Sequence, residues 1–153
     1  MDMRALERAV QGGMLMMQKR LVLMETIGET LVSSTVRRFE EGKDPDGNAW
    51  EPTGRGGQIL ADKGRLKSSM VYEAGPDMVV WGSNVEYAAI HQYGGEIKAK
   101  NGPYLTFKIA SGNFVRVKSV TIPARPYLGV SKDDKEEIRY MMRAYIARGL
   151  GLK

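Results

Sequence analysis

The 153-residue chain contains no cysteine and only one histidine, His91. Without cysteine it can form no disulfide, no thiolate zinc site and no cysteine nucleophile, a composition typical of proteins assembled in a reducing cytoplasm. A histidine with no cysteine and no second histidine is more often a hydrogen-bonded structural residue than a catalytic one. We therefore predict no metal site, no cofactor and no catalytic residue.

Long apolar runs are missing as well. No uncharged apolar stretch approaches the roughly 18 residues that a membrane-spanning helix needs, so we expect no membrane segment. The first residues include Arg4, Glu7 and Arg8 and lack the apolar core of a secretory signal. The length favours one domain over residues 1–153, with enough chain to bury a core.

Acidic residues are absent from one long interval of the chain. None occurs from Ile97 to Lys132, although the whole chain has 18 acidic against 23 basic side chains. The basic residues of this interval are Lys98, Lys100, Lys108, Arg116, Lys118, Arg125 and Lys132. Such an interval can face nucleic acid, with Tyr104, Phe107 and Phe114 available to stack on bases, or an acidic partner. The alternative is a solvated strand face with its loops.

Apolar residues at steps of three and four predict two helices. The first covers residues 3–41, either as one helix or as two joined at Gly12-Gly13. A continuous helix of that size is roughly 58 Å long, so we expect part of it to pack on a neighbouring subunit. Ser131 is placed to cap the second helix, over residues 132–148, whose apolar stripe also needs a partner surface.

The turn after the first helix, residues 41–50, has a partial resemblance to a calcium loop. Three of its side chains have the spacing of the first three ligands, namely Asp44, Asp46 and Asn48. An EF-hand loop then needs glycine and glutamate at two later positions, which Ala49 and Arg55 occupy here. We therefore predict a structural turn anchored by Trp50, with metal binding as the minor alternative.

Alternating apolar and polar residues predict an antiparallel sheet made of two hairpins. The first hairpin joins residues 66–73 to residues 78–82, and the second joins residues 104–109 to residues 114–122. Four apolar side chains of the last strand are expected to face the core, namely Val115, Val117, Val120 and Ile122. Three basic side chains are expected to face outward, namely Arg116, Lys118 and Lys108.

A short apolar stretch, residues 87–95, lies between the two hairpins. The spacing of Ile90, His91 and Gly94 predicts a buried helix that ends at a glycine turn, and residues 122–129 form an extended, proline-stiffened segment. We expect His91 and Gln92 to tie this helix to nearby backbone or to that segment. We call the following set the structural hub: Tyr87, His91, Gln92, Gly94, Gly95, Arg125 and Trp50.

The predicted class is α+β, with a long N-terminal helix, two hairpins, a short central helix and a C-terminal helix.

A series of short motifs between residues 37 and 131 resembles the phage virion morphogenesis family, also called tail completion proteins. The motifs are Phe39, Asp44-Pro45-Asp46-Gly47, Trp50-Glu51-Pro52, Ile59-Leu60, Gly64-Arg65-Leu66-Lys67-Ser68-Ser69, Gly82-Ser83, Tyr87-Ala88, Ile90-His91-Gln92-Tyr93-Gly94-Gly95 and Pro123-Ala124-Arg125-Pro126-Tyr127-Leu128-Gly129. Their joint occurrence, in the family's order, is the specific signal.

The resemblance implies a structural virion protein of the phage head-tail junction or tail end, without catalytic activity. It implies a ring of identical subunits, with a hexamer as the expected order, and neighbouring neck or tail proteins as partners. It also implies assembly in the bacterial host cytoplasm and a place in the finished virion. Neither a membrane nor a small-molecule substrate is expected.

Two other classes of function compete with this interpretation. A nucleic-acid-binding module would use the acid-free interval, and an enzyme would have to combine His91 with Glu86, Glu96 or Asp62.

Within the ring, the outward basic side chains have two alternative partners. Arg116, Lys118 and Lys108 either meet packaged DNA in the channel or lie at a subunit boundary, against Asp133 and Glu137 of the C-terminal helix. We favour the boundary, because a channel through which DNA must slide gains little from tight phosphate contacts. Opposite charges on one chain also suit a head-to-tail ring.

Overall fold

The computed structural model describes residues 3–53, 59–60, 63–100, 102–109 and 111–149, and it confirms the α+β class. Helix α1 spans Met3–Glu41 without interruption. The alternative prediction, two helices joined at Gly12-Gly13, is therefore wrong. Helix α4 spans Lys132–Gly149, one residue beyond its prediction. No helix among the described residues is both long and apolar enough to cross a bilayer.

The described residues group into two compact units. The first takes in the described parts of residues 1–34, 71–82 and 132–153, and the second those of residues 35–70 and 83–131. In the first unit, Ile27 and Leu31 are buried, and a Cβ added to Gly28 would meet Cγ of Tyr72 at 2.7 Å. The glycine therefore lets the aromatic ring lie directly on the helix.

The first predicted hairpin forms from β1, Met70–Ala74, and β2, Val79–Ser83. The N–H of Gly75 closes the turn by donating to the carbonyl of Met78 at 2.8 Å. The prediction of a strand from residue 66 is wrong, because Arg65–Ser68 form a single helical turn, α2. The Ser69 hydroxyl donates to the carbonyl of Leu66, and this local bond replaces strand pairing there.

The remaining strands form two further two-stranded sheets rather than one hairpin with a long second strand. Strand β4, Leu105–Lys108, pairs with β5, Phe114–Val117, as predicted. Strand β6, Ser119–Ile122, instead pairs antiparallel with β3, Gly95–Lys98, a strand that the sequence analysis missed.

The break between β5 and β6 falls at Lys118, and it has a physical reason. Val115 and Val117 keep a period of two, but Val120 follows three residues after Val117, so an unbroken strand would send these side chains to opposite faces. A bend at Lys118 separates β5 from β6, and Ala99 donates its N–H to the Lys118 carbonyl at 3.4 Å.

The predicted central helix is α3, Ala88–Tyr93, which belongs to the second unit. Gly94 ends it with φ of 70°, in the region that favours glycine. A Cβ there would lie 2.7 Å from the backbone nitrogen of Ala124 and 2.9 Å from the carbonyl oxygen of Ile122. The missing side chain therefore brings the end of α3 against the proline-rich segment.

Candidate functional site

The centre of the second unit is a cluster of three aromatic side chains. The ring centroid of Phe39 lies 5.7 Å from that of Trp50 and 5.0 Å from that of Tyr127. All three side chains are buried, and the Tyr127 residue is only 1% exposed. The indole N–H of Trp50 donates to the Pro126 carbonyl at 2.9 Å, and the Tyr127 hydroxyl donates to the Ala88 carbonyl at 3.0 Å. The cluster thus joins α1, the turn after it, α3 and the proline-rich segment.

Gln92 connects α3 to the proline-rich segment through its side-chain amide. Its Oε1 accepts the N–H groups of Tyr127 and Leu128, each at 3.0 Å, and its Nε2 donates to the Leu128 carbonyl at 3.1 Å. One side chain therefore satisfies three backbone groups that lie 35 and 36 residues away in the sequence.

Arg125 is buried and directs its guanidinium at carbonyl groups of the two residues that follow the turn after α1. Its Nε donates to Glu51 at 2.9 Å, one Nη donates to Pro52 at 3.3 Å, and its own N–H donates to the His91 carbonyl at 2.7 Å. The residue thus ties the proline-rich segment both to the chain just after the turn and to α3.

Arg38 is a site residue that the sequence analysis did not identify. It is buried in the last turns of α1, and its guanidinium donates to the carbonyls of Tyr127 at 3.0 Å and Gly129 at 2.9 Å. The sequence did contain a signal for this role. Arg38 follows Leu31 and Thr35 at steps of four and three, on the face of α1 that periodicity assigns to the core. A charged residue on such a face requires buried hydrogen-bond acceptors.

His91 lies beside Tyr87, with the ring centroids 5.9 Å apart in an edge-to-face arrangement. The buried Nδ1 of His91 has no hydrogen-bond partner among the described residues. His91 contacts the proline-rich segment through its backbone carbonyl, which accepts the N–H of Arg125. Burial, followed by the positive charge of Arg125, lowers the pKa of the imidazole. Of the carboxylates considered for an enzyme, Asp62 falls outside the described residues.

We expect the free energy of unfolding to decrease as the pH falls below the ordinary histidine pKa of 6.5. The folded-state pKa is lower than the unfolded one, so the unfolded chain binds the proton first and gains stability. The stability that depends on a neutral His91 is fully present above pH 6.5, and it is lost as the pH falls through the pKa of the folded state. Urea denaturation at pH 8 and pH 5.5 measures this loss. The His91→Gln variant, which has no histidine left, should lose less; equal losses would contradict the assignment.

The turn after α1 uses its aspartate for backbone hydrogen bonds. Oδ1 of Asp44 accepts the N–H groups of Asp46 at 2.9 Å and Asn48 at 2.8 Å, while Oδ2 accepts the Asn48 amide at 2.9 Å. Among the described residues, no group of three histidine, cysteine, aspartate or glutamate side chains could hold a metal ion. The carboxylate that would begin a calcium loop therefore stabilises the turn itself.

The outward side of the β4–β5 hairpin is basic and carries one large aromatic ring. Thr106 lies opposite Arg116 and Lys108 lies opposite Phe114, and these four residues are exposed. We call them the basic face. Lys118 is exposed at the bend that follows β5. Leu105, Phe107, Val115 and Val117 occupy the half-buried opposite side of the hairpin.

The start of α4 carries the acidic residues that the sequence analysis paired with this face. Asp133 and Glu137 are exposed. The next residue along the helix, Asp134, is only 1% exposed, so it contributes to the interior rather than to a charged surface. Its position one residue along the helix turns its side chain inward, toward the side that holds Ile138.

Comparison with known proteins gives one family and two relatives. The profile of the phage virion morphogenesis family matches residues 1–147. The chain is 34% identical over 135 residues to the Mu-like prophage FluMu G protein 2 of Haemophilus influenzae, covering 88% of this chain and 80% of that protein. It is 32% identical over 133 residues to the putative capsid assembly protein G of Escherichia phage Mu, covering 78% of this chain and 75% of that protein. No solved structure matches the chain.

Proposed function

Because the chain belongs to the phage virion morphogenesis family, we propose that it is a structural assembly protein of the phage head-tail junction or tail end. In this proposal it acts in tail completion and head-tail joining, as a ring of identical subunits with six as the expected number. The family match across residues 1–147 is the observation that carries the proposal. The Mu relative, whose name describes capsid assembly, supports a role in building the particle.

The hub, together with Arg38, fits a structural role better than a catalytic one. The polar side chains of Gln92, Arg125 and Arg38 are directed at backbone groups of distant segments, and they hold those segments together. A catalytic side chain would instead face a space that a substrate can enter. The protein in this proposal therefore needs no cofactor and no small-molecule substrate.

The ring in this proposal closes through opposite charges. Arg116, Lys118 and Lys108 are exposed on one part of the chain, and Asp133 and Glu137 are exposed on another. A closed ring requires a heterologous contact, in which two different surfaces of one chain meet on neighbouring subunits. The basic residues of one subunit and the acidic residues of the next supply such a pair of surfaces.

One observation favours a second candidate function, a module that binds nucleic acid. Phe114 is 74% exposed, and on the basic face it lies opposite Lys108 and two residues before Arg116. An exposed ring beside cationic side chains is a combination that stacks on bases and contacts phosphates. Binding of this kind weakens steeply as the salt concentration rises. DNA affinity that is absent, or insensitive to salt, would exclude the candidate.

The assembly function is tested by removing the gene for this chain from the phage that carries it. Separate heads and tails should accumulate in the induced culture, seen by electron microscopy, and wild-type protein supplied from a plasmid should restore joined particles. Tails of abnormal length would assign the protein to tail completion rather than to joining. Normal, infectious particles in the absence of the protein would contradict the proposed function.

A further inference from the structure

The first half of α1 carries an apolar stripe that the described part of the chain leaves exposed. Val10, Met14 and Met17 are 53%, 67% and 57% exposed, and every residue from 10 to 20 is exposed. The same stripe continues through Leu21 and Met24 to the buried residues Gly28 and Leu31. The described residues therefore cover the stripe at its C-terminal end and leave about three turns of it, residues 10–20, uncovered.

The spacing of this stripe specifies a helix as the covering element. Its residues follow one another at alternating steps of three and four, the 3.5-residue repeat that fits a second helix along a shared seam. The uncovered part is also weak as an isolated helix. Gly12 and Gly13 each cost about 1 kcal/mol relative to alanine, and isolated helices of about 15 residues are marginal in water. A partner helix would supply the missing stabilisation.

We propose that the first half of α1 pairs antiparallel with the same segment of a second copy of this chain. In the register that buries the whole uncovered stripe, Met14 packs against the partner's Met17 and Val10 packs against the partner's Leu21. The two-fold symmetry of the pair repeats both contacts. A Cβ added to Gly12 or Gly13 would meet nothing within 4 Å, so the flank of the seam has room for a close helix.

The like charges of Glu7 in the seam favour the antiparallel over the parallel arrangement. The antiparallel register brings Arg4 near the partner's Glu25, and symmetry gives this attraction twice. It also places Glu7 beside the partner's Met24. A parallel pair would put Glu7 directly beside the partner's Glu7 in the seam, where two like charges repel. Antiparallel helix dipoles add a smaller favourable contribution.

This pairing is separate from the proposed ring. A pair of α1 segments is an isologous contact, in which one surface meets itself, whereas ring closure needs two different surfaces. The residues of the two contacts do not overlap, since the ring uses Arg116, Lys118, Lys108, Asp133 and Glu137. Loss of either contact should therefore leave the other in place.

Cysteine cross-linking tests the pairing and its direction, because the natural chain has no cysteine. Val10→Cys and Leu21→Cys proteins should each stay unlinked alone under mild oxidation and should form a disulfide dimer when mixed. A Lys19→Cys protein, with the new thiol on the opposite side of the helix, is the control that should stay unlinked in every mixture. Disulfides in either single variant alone would establish a parallel pair and overturn the proposal, as would the absence of a dimer in the mixture.

A second measurement covers the case in which a cysteine variant does not fold. Met14→Lys with Met17→Lys should weaken self-association by at least tenfold in sedimentation velocity, with far-ultraviolet circular dichroism as the check on folding. Leu15→Lys is the matched control, since Leu15 is also exposed, at 53%, but lies on another side of the helix. The same effect from the control, or no effect from the double variant, would contradict the pairing. Arg116→Glu with Lys118→Glu should leave it intact.

Discussion

The Tyr127→Ala variant is expected to lose about 3 to 5 kcal/mol of its free energy of unfolding. Tyr127 is 1% exposed, its ring packs on Phe39, and its hydroxyl donates to the Ala88 carbonyl. Removing the ring leaves a cavity in the centre of the second unit and removes the hydrogen bond from the Tyr127 hydroxyl to the Ala88 carbonyl. The loss is large because neighbours fixed by the hydrogen bonds of Gln92 and Arg38 have little freedom to fill the cavity.

Urea denaturation followed by tryptophan fluorescence measures this loss, since Trp50 belongs to the same cluster. Tyr127→Phe is the matched control. It keeps the ring and removes only the hydroxyl, so it should cost about 0.5 to 1.5 kcal/mol for one lost hydrogen bond, since the Ala88 carbonyl keeps its bond within α3. A Tyr127→Ala variant within 1 kcal/mol of the natural protein would show that the aromatic cluster does not stabilise the fold as described.

Arg116→Glu with Lys118→Glu is expected to prevent ring formation at concentrations where the natural protein assembles. The change replaces attraction by repulsion against Asp133 and Glu137 of the next subunit, and like charges brought together at an interface cost several kcal/mol. Adding Asp133→Lys with Glu137→Lys should partly restore the ring, because it re-creates opposite charges with the signs exchanged. Sedimentation velocity and native mass spectrometry measure both results.

The control for this experiment is Lys98→Glu with Lys100→Glu. Both lysines are exposed and lie in the same acid-free interval, so the net charge changes equally while the proposed boundary keeps its own residues. This control should assemble as the natural protein does. A ring that survives the Arg116 and Lys118 reversal and merely loses affinity for DNA would refute the boundary and favour DNA contact.

The sequence predicted those elements whose pattern is local and long. Helices α1 and α4 have apolar stripes of many turns, and α3 ends at a glycine that its turn requires. The family resemblance is confirmed by the profile match over residues 1–147 and by the two relatives. Its motifs include the turn, α3 and the proline-rich segment, which pack together in the second unit. The sequence also indicated where the segment from Val115 to Ile122 is interrupted, because the step from Val117 to Val120 is three residues instead of two.

The remaining features depend on contacts far apart in the chain. Strand β3 has four residues and one apolar side chain, Ile97, so it is defined by its pairing with β6 and not by a pattern of its own. A single turn such as α2 cannot be distinguished from a strand by periodicity. The guanidinium of Arg38 donates to carbonyls 89 and 91 residues away. Such distant acceptors cannot be identified from the sequence alone.

The central claim is that this chain assembles with copies of itself into a closed ring that builds the phage particle. Native mass spectrometry of the purified natural protein, from low to high micromolar concentration, tests it most directly. The expected result is a discrete oligomer of six subunits, or two such rings joined through their α1 helices. Met14→Lys with Met17→Lys should reduce the joined form to single rings. A protein that remains a monomer at every concentration, with and without the neighbouring virion proteins, would contradict the claim.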